Sequence, residues 1–163
     1  LQSVLLHFYS SNTDLLGIEY AAVMKNIVAL ACGIAHGLNL GDNFQAVLVS
    51  NAMQEISRFL EQIAPQERDL FQSVYVGDLL VTAYSQFSRN RMFGNMIGQG
   101  YTVKSATLEM NMIAEGYYAV ESIYEIIQGN SILGMPITTA VYNILYKGHK
   151  PSFEFQALKE IVS

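Results

Sequence analysis

The sequence predicts an all-α domain, and three observations carry that prediction. From residue 15 to about residue 36 there is neither strand alternation nor a proline, and Ala21, Ala22, Val28, Ala29 and Cys32 favour a helix. Beyond residue 43, apolar residues recur at the three- and four-residue spacing of a buried helix face. Glycines and prolines fall between these stretches, where they start and stop helices.

In chain order, residues 4–9 form a short apolar run that predicts one strand, and Ser10 to Asp14 supply turn and helix-cap residues. The helix from residue 15 is apolar nearly all round, which places it at the centre of a domain, and Gly33 and Gly37 allow close backbone approach or a helix end. Asp42-Asn43-Phe44-Gln45 resembles a capping box, followed by Phe44, Val47, Leu48, Ala52, Ile56, Phe59, Leu60 and Ile63 in a second helix that stops before Pro65. A short charged turn over residues 66–69 leads into shorter helical patches at 70–75, 79–84 and 90–97. Gly98 and Gly100 break the chain, Thr102 or Ser105 caps a helix to Met110, and residues 115–128 form a longer helix ended by Gly129-Asn130. Pro136 suits the first turn of a helix to Tyr146, and a last amphipathic helix carries Phe155, Leu158, Ile161 and Val162. No repeat, low-complexity tract or linker interrupts this order.

The 163 residues suit one domain able to fold on a hydrophobic core alone. Only 14% are charged, against about 25% in typical domains, so the sequence predicts an uncharged surface covered by a further domain or subunit. A net charge of −5 and a pI near 5.1 argue against nucleic-acid binding, which needs a basic face. Cys32, the single cysteine, reads as core packing in a reducing cytoplasm. The longest unbroken apolar stretch, about residues 27–34, is short of a membrane span, so no membrane partner is expected. A start at Leu1 with no basic flank reads as part of a longer protein.

Lys25-Asn26, in the middle of the apolar helix, is the first chemical candidate. Burying an ammonium is costly unless a partner compensates it, and a lysine held in such a place can act as acid or base. A lysine that snorkels to the surface or pairs structurally is the alternative. Ser88-Arg89-Asn90-Arg91 lines up hydroxyl, guanidinium and amide donors at a helix start, which suits a phosphate or carboxylate; a solvated turn is the competing reading. Asp78 lies between apolar runs and requires a cation, for which Lys25 is available, although a helix N-cap would also explain it. His7, His36 and His149 are not spaced for a metal or a nucleophile dyad, so no metal is expected. Gly94, Gly98 and Gly100 do not make a dinucleotide fingerprint, and Met92, Met96, Met110 and Met112 read as core or interface filler.

Taken together, Ile18-Glu19, Ala22 to Ile27, Gly33 to Asn43, Gly77-Asp78-Leu79, Thr82, Ser88 to Arg91, Phe93-Gly94, Gly98-Gln99-Gly100, Ala114-Glu115-Gly116 and Met135-Pro136-Ile137 resemble the C-terminal domain of bacterial NAD(P)-dependent glycerol-3-phosphate dehydrogenase. The resemblance covers nearly the whole chain, in family order and spacing. It implies a multi-helical dehydrogenase C-terminal domain of the 6-phosphogluconate dehydrogenase C-terminal-like type, spanning residues 1–163. Residues 1–14 would continue from an N-terminal Rossmann domain, and the active site would lie between the two. The implied reaction interconverts dihydroxyacetone phosphate and sn-glycerol 3-phosphate with NAD(P)H, supplying glycerol 3-phosphate for phospholipid synthesis.

By position, Lys25 resembles the family's proton donor and acceptor, with Asp78 as its catalytic partner. Asp78, Ser88, Arg89 and Asn90 resemble substrate-binding residues, Asn26 and Thr82 match positions near the substrate, and Arg89, Ile113 and Glu115 resemble coenzyme contacts. The implied partners are a small phosphorylated substrate, the Rossmann domain of the same protein and a second copy in a homodimer, all in the cytoplasm. Residues 1–163 alone should not transfer hydride. The sequence departs from the family at Ala21-Ala22-Val23, where Gly-Gly-Ala is usual, at Phe44-Gln45, where a small polar and a basic residue are usual, and at Ser50-Asn51-Ala52, where many relatives carry arginine and glycine. Two rival functions are half of a hydroxy-acid dehydrogenase, against which Ser88-Arg89-Asn90-Arg91 argues, and a non-catalytic interaction or regulatory domain.

Overall fold

The computed structural model describes residues 14–162, and these form eight α-helices and one π-helical turn. The helices are α1 (Leu15–Gly37), α2 (Gly41–Ile63), α3 (Asp78–Tyr84), α4 (Arg89–Gly98), α5 (Val103–Met110), α6 (Glu115–Gly129), α7 (Pro136–Lys147) and α8 (Pro151–Val162); the π-turn is Ser73–Gly77. The strand expected at residues 4–9 lies outside the described residues.

Helix α1 forms the axis of the fold. Asp14 caps it, its Oδ1 accepting the Gly17 N–H at 3.1 Å, and from Ile27 to Ala35 every residue is buried. Helices α2, α3, α4, α6 and α7 pack around it, and α8 closes against α7. By length and composition α1 is apolar enough to cross a membrane, contrary to the sequence expectation. The reason for its apolarity is visible in the bundle: it is the core helix, surrounded by the others.

The closest packing is between α1 and α4, and glycine makes it possible. A Cβ at Gly33 would fall on the Arg91 carbonyl, and one at Gly94 on the Leu30 carbonyl, so the two backbones touch where any side chain would hold them apart. This contact fixes the start of α4, and hence Ser88 to Asn90, against the middle of α1.

Several boundaries differ from expectation. The capping box at 42–45 does not form: after the turn through Asn39 (φ +56°) and Gly41 (φ +80°), α2 begins at Gly41 with no side-chain cap, and Asp42 lies inside its first turn. Residues 70–72 are a turn and residues 73–75 already belong to the π-turn, rather than to an α-helix. Thr102, not Ser105, caps α5 by accepting the Ser105 N–H. In α8, Phe155 and Leu158 are buried as expected, but Ile161 is exposed. Met96 and Met110 are half-buried and pack against the core, whereas Met92 and Met112 are exposed. Cys32 is fully buried, which pushes its thiol up to about 12 and leaves it inert.

Candidate active site

Lys25 projects from the middle of α1 toward the first turn of α3, where Asp78 sits. Lys25 Nζ donates to Asp78 Oδ2 at 2.6 Å, and both side chains are about one quarter exposed (24% and 22%). The pair therefore stands at the edge of the core, desolvated on one side and open on the other. Asp78 is the first residue of α3 rather than its N-cap, which is Gly77, so its carboxylate is committed to the lysine. Thr82, one turn on, donates its hydroxyl to the Asp78 carbonyl at 2.8 Å.

Asn26, next to Lys25, leads to a second group. Asn90 Nδ2 donates to Asn26 Oδ1 at 3.0 Å, and Asn90 Oδ1 accepts the Gly116 N–H at 2.8 Å. Asn90 is buried, so its amide ties α1, α4 and the start of α6 together at one point. A Cβ on Gly116 would press on Asn90 Oδ1 and the Asn26 carbonyl, which explains glycine there.

Ser88 caps α4, its Oγ accepting the Arg91 N–H at 3.3 Å. Arg89 opens that helix and is more than half exposed; its Nη2 lies 3.7 Å from Glu115 Oε1 and its Nη1 contacts Met112 Sδ at 3.4 Å. Glu115 is 73% exposed, so this ion pair is solvated and exchangeable. Ile113, half-buried, lies in the turn between these contacts. Arg91 points elsewhere: it donates to the Tyr84 carbonyl at 3.0 Å and to the buried Gln45 at 3.2 Å, bracing the turn between α3 and α4.

The structure thus brings Lys25, Asp78 and Thr82 into one group, Asn26 and Asn90 into a second beside it, and Arg89 and Glu115 into a third on an exposed edge. His36 and His149 are exposed, and His149 pairs with Glu154 at 2.6 Å.

Two buried polar clusters escaped sequence reasoning. Arg68, read as part of a solvated charged turn, is buried against Asp14 at 2.6 Å, and Tyr75 donates its hydroxyl to the same carboxylate. The Arg68 guanidinium holds the Asp14 carboxyl below the usual carboxylate range. Glu55, buried on α2, accepts the Ile137 N–H and, at 3.2 Å, the Thr138 N–H at the start of α7; Thr138 Oγ1 donates to it at 2.9 Å. Burial pushes the Glu55 carboxyl up to about 7, against the pull of those donors. Its signal was present in the sequence: Glu55 falls on the stripe of Leu48, Ala52, Ile56 and Phe59, where an acid is out of place.

Comparison with known proteins shows the family of the chain. The family model described as the NAD-dependent glycerol-3-phosphate dehydrogenase C-terminus matches residues 14–156. A glycerol-3-phosphate dehydrogenase [NAD(P)+] of Staphylococcus carnosus (strain TM300) is 44% identical over 137 residues, covering 84% of this chain and 41% of that protein. One of the same description from Pelodictyon phaeoclathratiforme is 40% identical over 136 residues, covering 83% and 40%. The chain therefore spans about two fifths of the length of these relatives. The crystal structure of glycerol-3-phosphate dehydrogenase from Coxiella burnetii superposes with a TM-score of 0.87 at 34% identity, covering 91% of this chain and 46% of that one. The glycerol-3-phosphate dehydrogenase structure from Saccharomyces cerevisiae gives 0.79 at 27% identity, covering 86% and 41%. On the family match across residues 14–156, this chain belongs to the NAD-dependent glycerol-3-phosphate dehydrogenase C-terminal domain family.

Proposed function

We propose that this chain is the helical substrate-binding domain, with the proton donor, of an oxidoreductase that interconverts dihydroxyacetone phosphate and sn-glycerol 3-phosphate using NAD(P)H. The observation that carries the reading is the half-buried Lys25–Asp78 pair at 2.6 Å.

When a ketone is reduced, negative charge grows on its oxygen, and an ammonium aimed at that oxygen both stabilises and protonates it. Lys25 is suited to this because Asp78 holds its Nζ in place at 2.6 Å. Arg89 is suited to the phosphate. Its solvated contact with Glu115 is worth at most about 1 kcal/mol, so it can be exchanged for a bidentate bond to a dianion. The start of α4, the positive end of its helix dipole, favours the same anion. In this reading Asn26, fixed by Asn90, and Thr82, one turn beyond Asp78, orient the substrate's hydroxyls.

NAD(P)H supplies the hydride when bound. Arg89, Ile113 and Glu115 fit a coenzyme contact because Arg89 and Glu115 are exposed and tied together on one edge, with the apolar Ile113 between them in sequence. In this reading residues 1–163 form a single domain, and residues 1–14 continue from an N-terminal Rossmann domain that holds most of the coenzyme. The protein works in the cytoplasm as a homodimer, and its glycerol 3-phosphate feeds phospholipid synthesis.

The test is coenzyme oxidation by the complete protein that contains this chain, comparing dihydroxyacetone phosphate with unphosphorylated dihydroxyacetone and a 2-oxo acid. Rapid turnover only with the phosphorylated ketone is expected. Preference for the oxo acid, or no oxidation by the folded protein, overturns the proposal.

A further inference from the structure

The Lys25–Asp78 pair is built from two segments far apart in sequence, and a buried polar hub joins those segments from behind. Asp14 is the N-cap of α1, the helix that carries Lys25. Its carboxylate accepts the Gly17 N–H, Arg68 Nε at 2.6 Å, Arg68 Nη2 at 3.2 Å and the Tyr75 hydroxyl. Arg68 also donates to the Ala64 carbonyl at the end of α2. Asp14 and Tyr75 are both only 4% exposed, so these bonds operate away from bulk water.

Tyr75 sits in the π-turn Ser73–Gly77, which runs without a break into α3 at Asp78. The Asp78 backbone N–H bonds to the Ser73 and Tyr75 carbonyls, so the tyrosine holds the aspartate's main chain directly. Tyr75 also lines, with Ala21, Lys25, Met53, Ile56 and Asp78, a void of only about 10 Å³ beneath the ion pair. That is room for a single water at most. A π-turn is an uncommon, locally unfavourable conformation that tends to occur at functional sites, and it needs tertiary contacts to persist. The hub provides them.

We infer that Tyr75 is a positioning residue: through its hydroxyl bond to the Asp14–Arg68 ion pair it fixes the π-turn, and thereby holds Asp78 in register with Lys25. The inference rests on the reading of Lys25 as proton donor. Tyr75 itself touches neither substrate nor coenzyme in this account. It acts by setting where the Asp78 carboxylate stands, and so where the lysine ammonium is aimed.

The experiment is steady-state ketone reduction by the complete enzyme carrying Tyr75→Phe, with Lys25→Ala beside it. Removing one hydroxyl leaves the Asp14–Arg68 pair intact but releases the π-turn. The expected result is a kcat about tenfold lower, inside the roughly 10²-fold that a 1 Å misplacement costs, with KM for both substrates within about twofold. The solvent deuterium isotope effect on kcat should rise, because proton donation is the step that has been misaligned. A folded Tyr75→Phe enzyme with wild-type kcat and isotope effect overturns the inference. So does a loss of kcat matched by an equal loss of coenzyme-binding stoichiometry with an unchanged isotope effect, which is lost folded enzyme. If Lys25→Ala keeps the wild-type rate, the proton-donor reading fails and the positioning role with it; if Lys25→Ala is inactive and Tyr75→Phe indifferent, only the positioning role is removed.

Discussion

Glu55 makes the stability of this fold depend on pH in the direction opposite to most carboxylates. It is 2% exposed, and burial pushes its carboxyl up to about 7 from an ordinary 4.5. A group that holds its proton more tightly when folded contributes stability below its unfolded pKa, and that contribution is lost as pH rises through the folded value. Between pH 4.5 and 7, at about 1.36 kcal/mol per pH unit of separation, the loss amounts to about 3 kcal/mol. The geometry permits the neutral form. Oε1, as the carbonyl oxygen of the acid, keeps the Ile137 N–H; Oε2 carries the proton and donates it to the Thr138 hydroxyl, which turns to accept it, while its remaining lone pair faces the Thr138 N–H.

Glu55→Gln mimics that neutral acid in shape and charge. Denaturant unfolding at a series of pH values from 5 to 8 should show the wild type losing stability as pH rises, while Glu55→Gln loses much less and overtakes it at pH 8. Parallel curves, or a wild type that gains stability over this range, would refute the reasoning. They would mean that Glu55 stays ionised as a fixed anion at the α7 N-terminus, stabilised there by the helix dipole.

Other perturbations follow from the packing. Gly94→Ala places a methyl on the Leu30 carbonyl and should cost about 1 to 3 kcal/mol, seen as a thermal midpoint lowered by several degrees; an unchanged midpoint would show that the α1–α4 contact is looser than described. Arg68→Ala removes one member of an ion pair whose side chains are 7% and 5% exposed, and should cost about 3 to 5 kcal/mol in denaturant unfolding. Because Arg68, with Tyr75 and the Gly17 N–H, keeps Asp14 below its ordinary 3.8, the wild type's Asp14 contribution is present above that value and lost as pH falls through the lowered one, and Arg68→Ala should reduce this acid-range loss.

Much of the architecture was legible in the sequence because the signals were local. The all-round apolar helix could only be the centre, and Gly129-Asn130 and Pro136 marked the end of α6 and the start of α7 within a residue or so. The misreadings share a cause. The burial of Arg68 depends on a partner 54 residues away, and the departure from an α-helix before Asp78 depends on a tertiary bond from Tyr75, so neither leaves a local pattern. At the candidate site, Lys25 and Asp78 stood out as charged residues in apolar surroundings, and Ser88-Arg89-Asn90 as a run of donors at a helix start. How they divide the work did not: sequence alone does not show that the Asn90 amide is committed to Asn26 and Gly116, or that the Ser88 hydroxyl accepts the Arg91 N–H.

The central claim is that Lys25 donates the proton, and the turnover of Lys25→Ala in the complete enzyme tests it most directly. With dihydroxyacetone phosphate and coenzyme saturating, kcat should fall by roughly 10² to 10⁴, the usual contribution of a positioned acid, in a protein that remains folded. A Lys25→Ala enzyme that turns over at close to the wild-type rate would contradict the account.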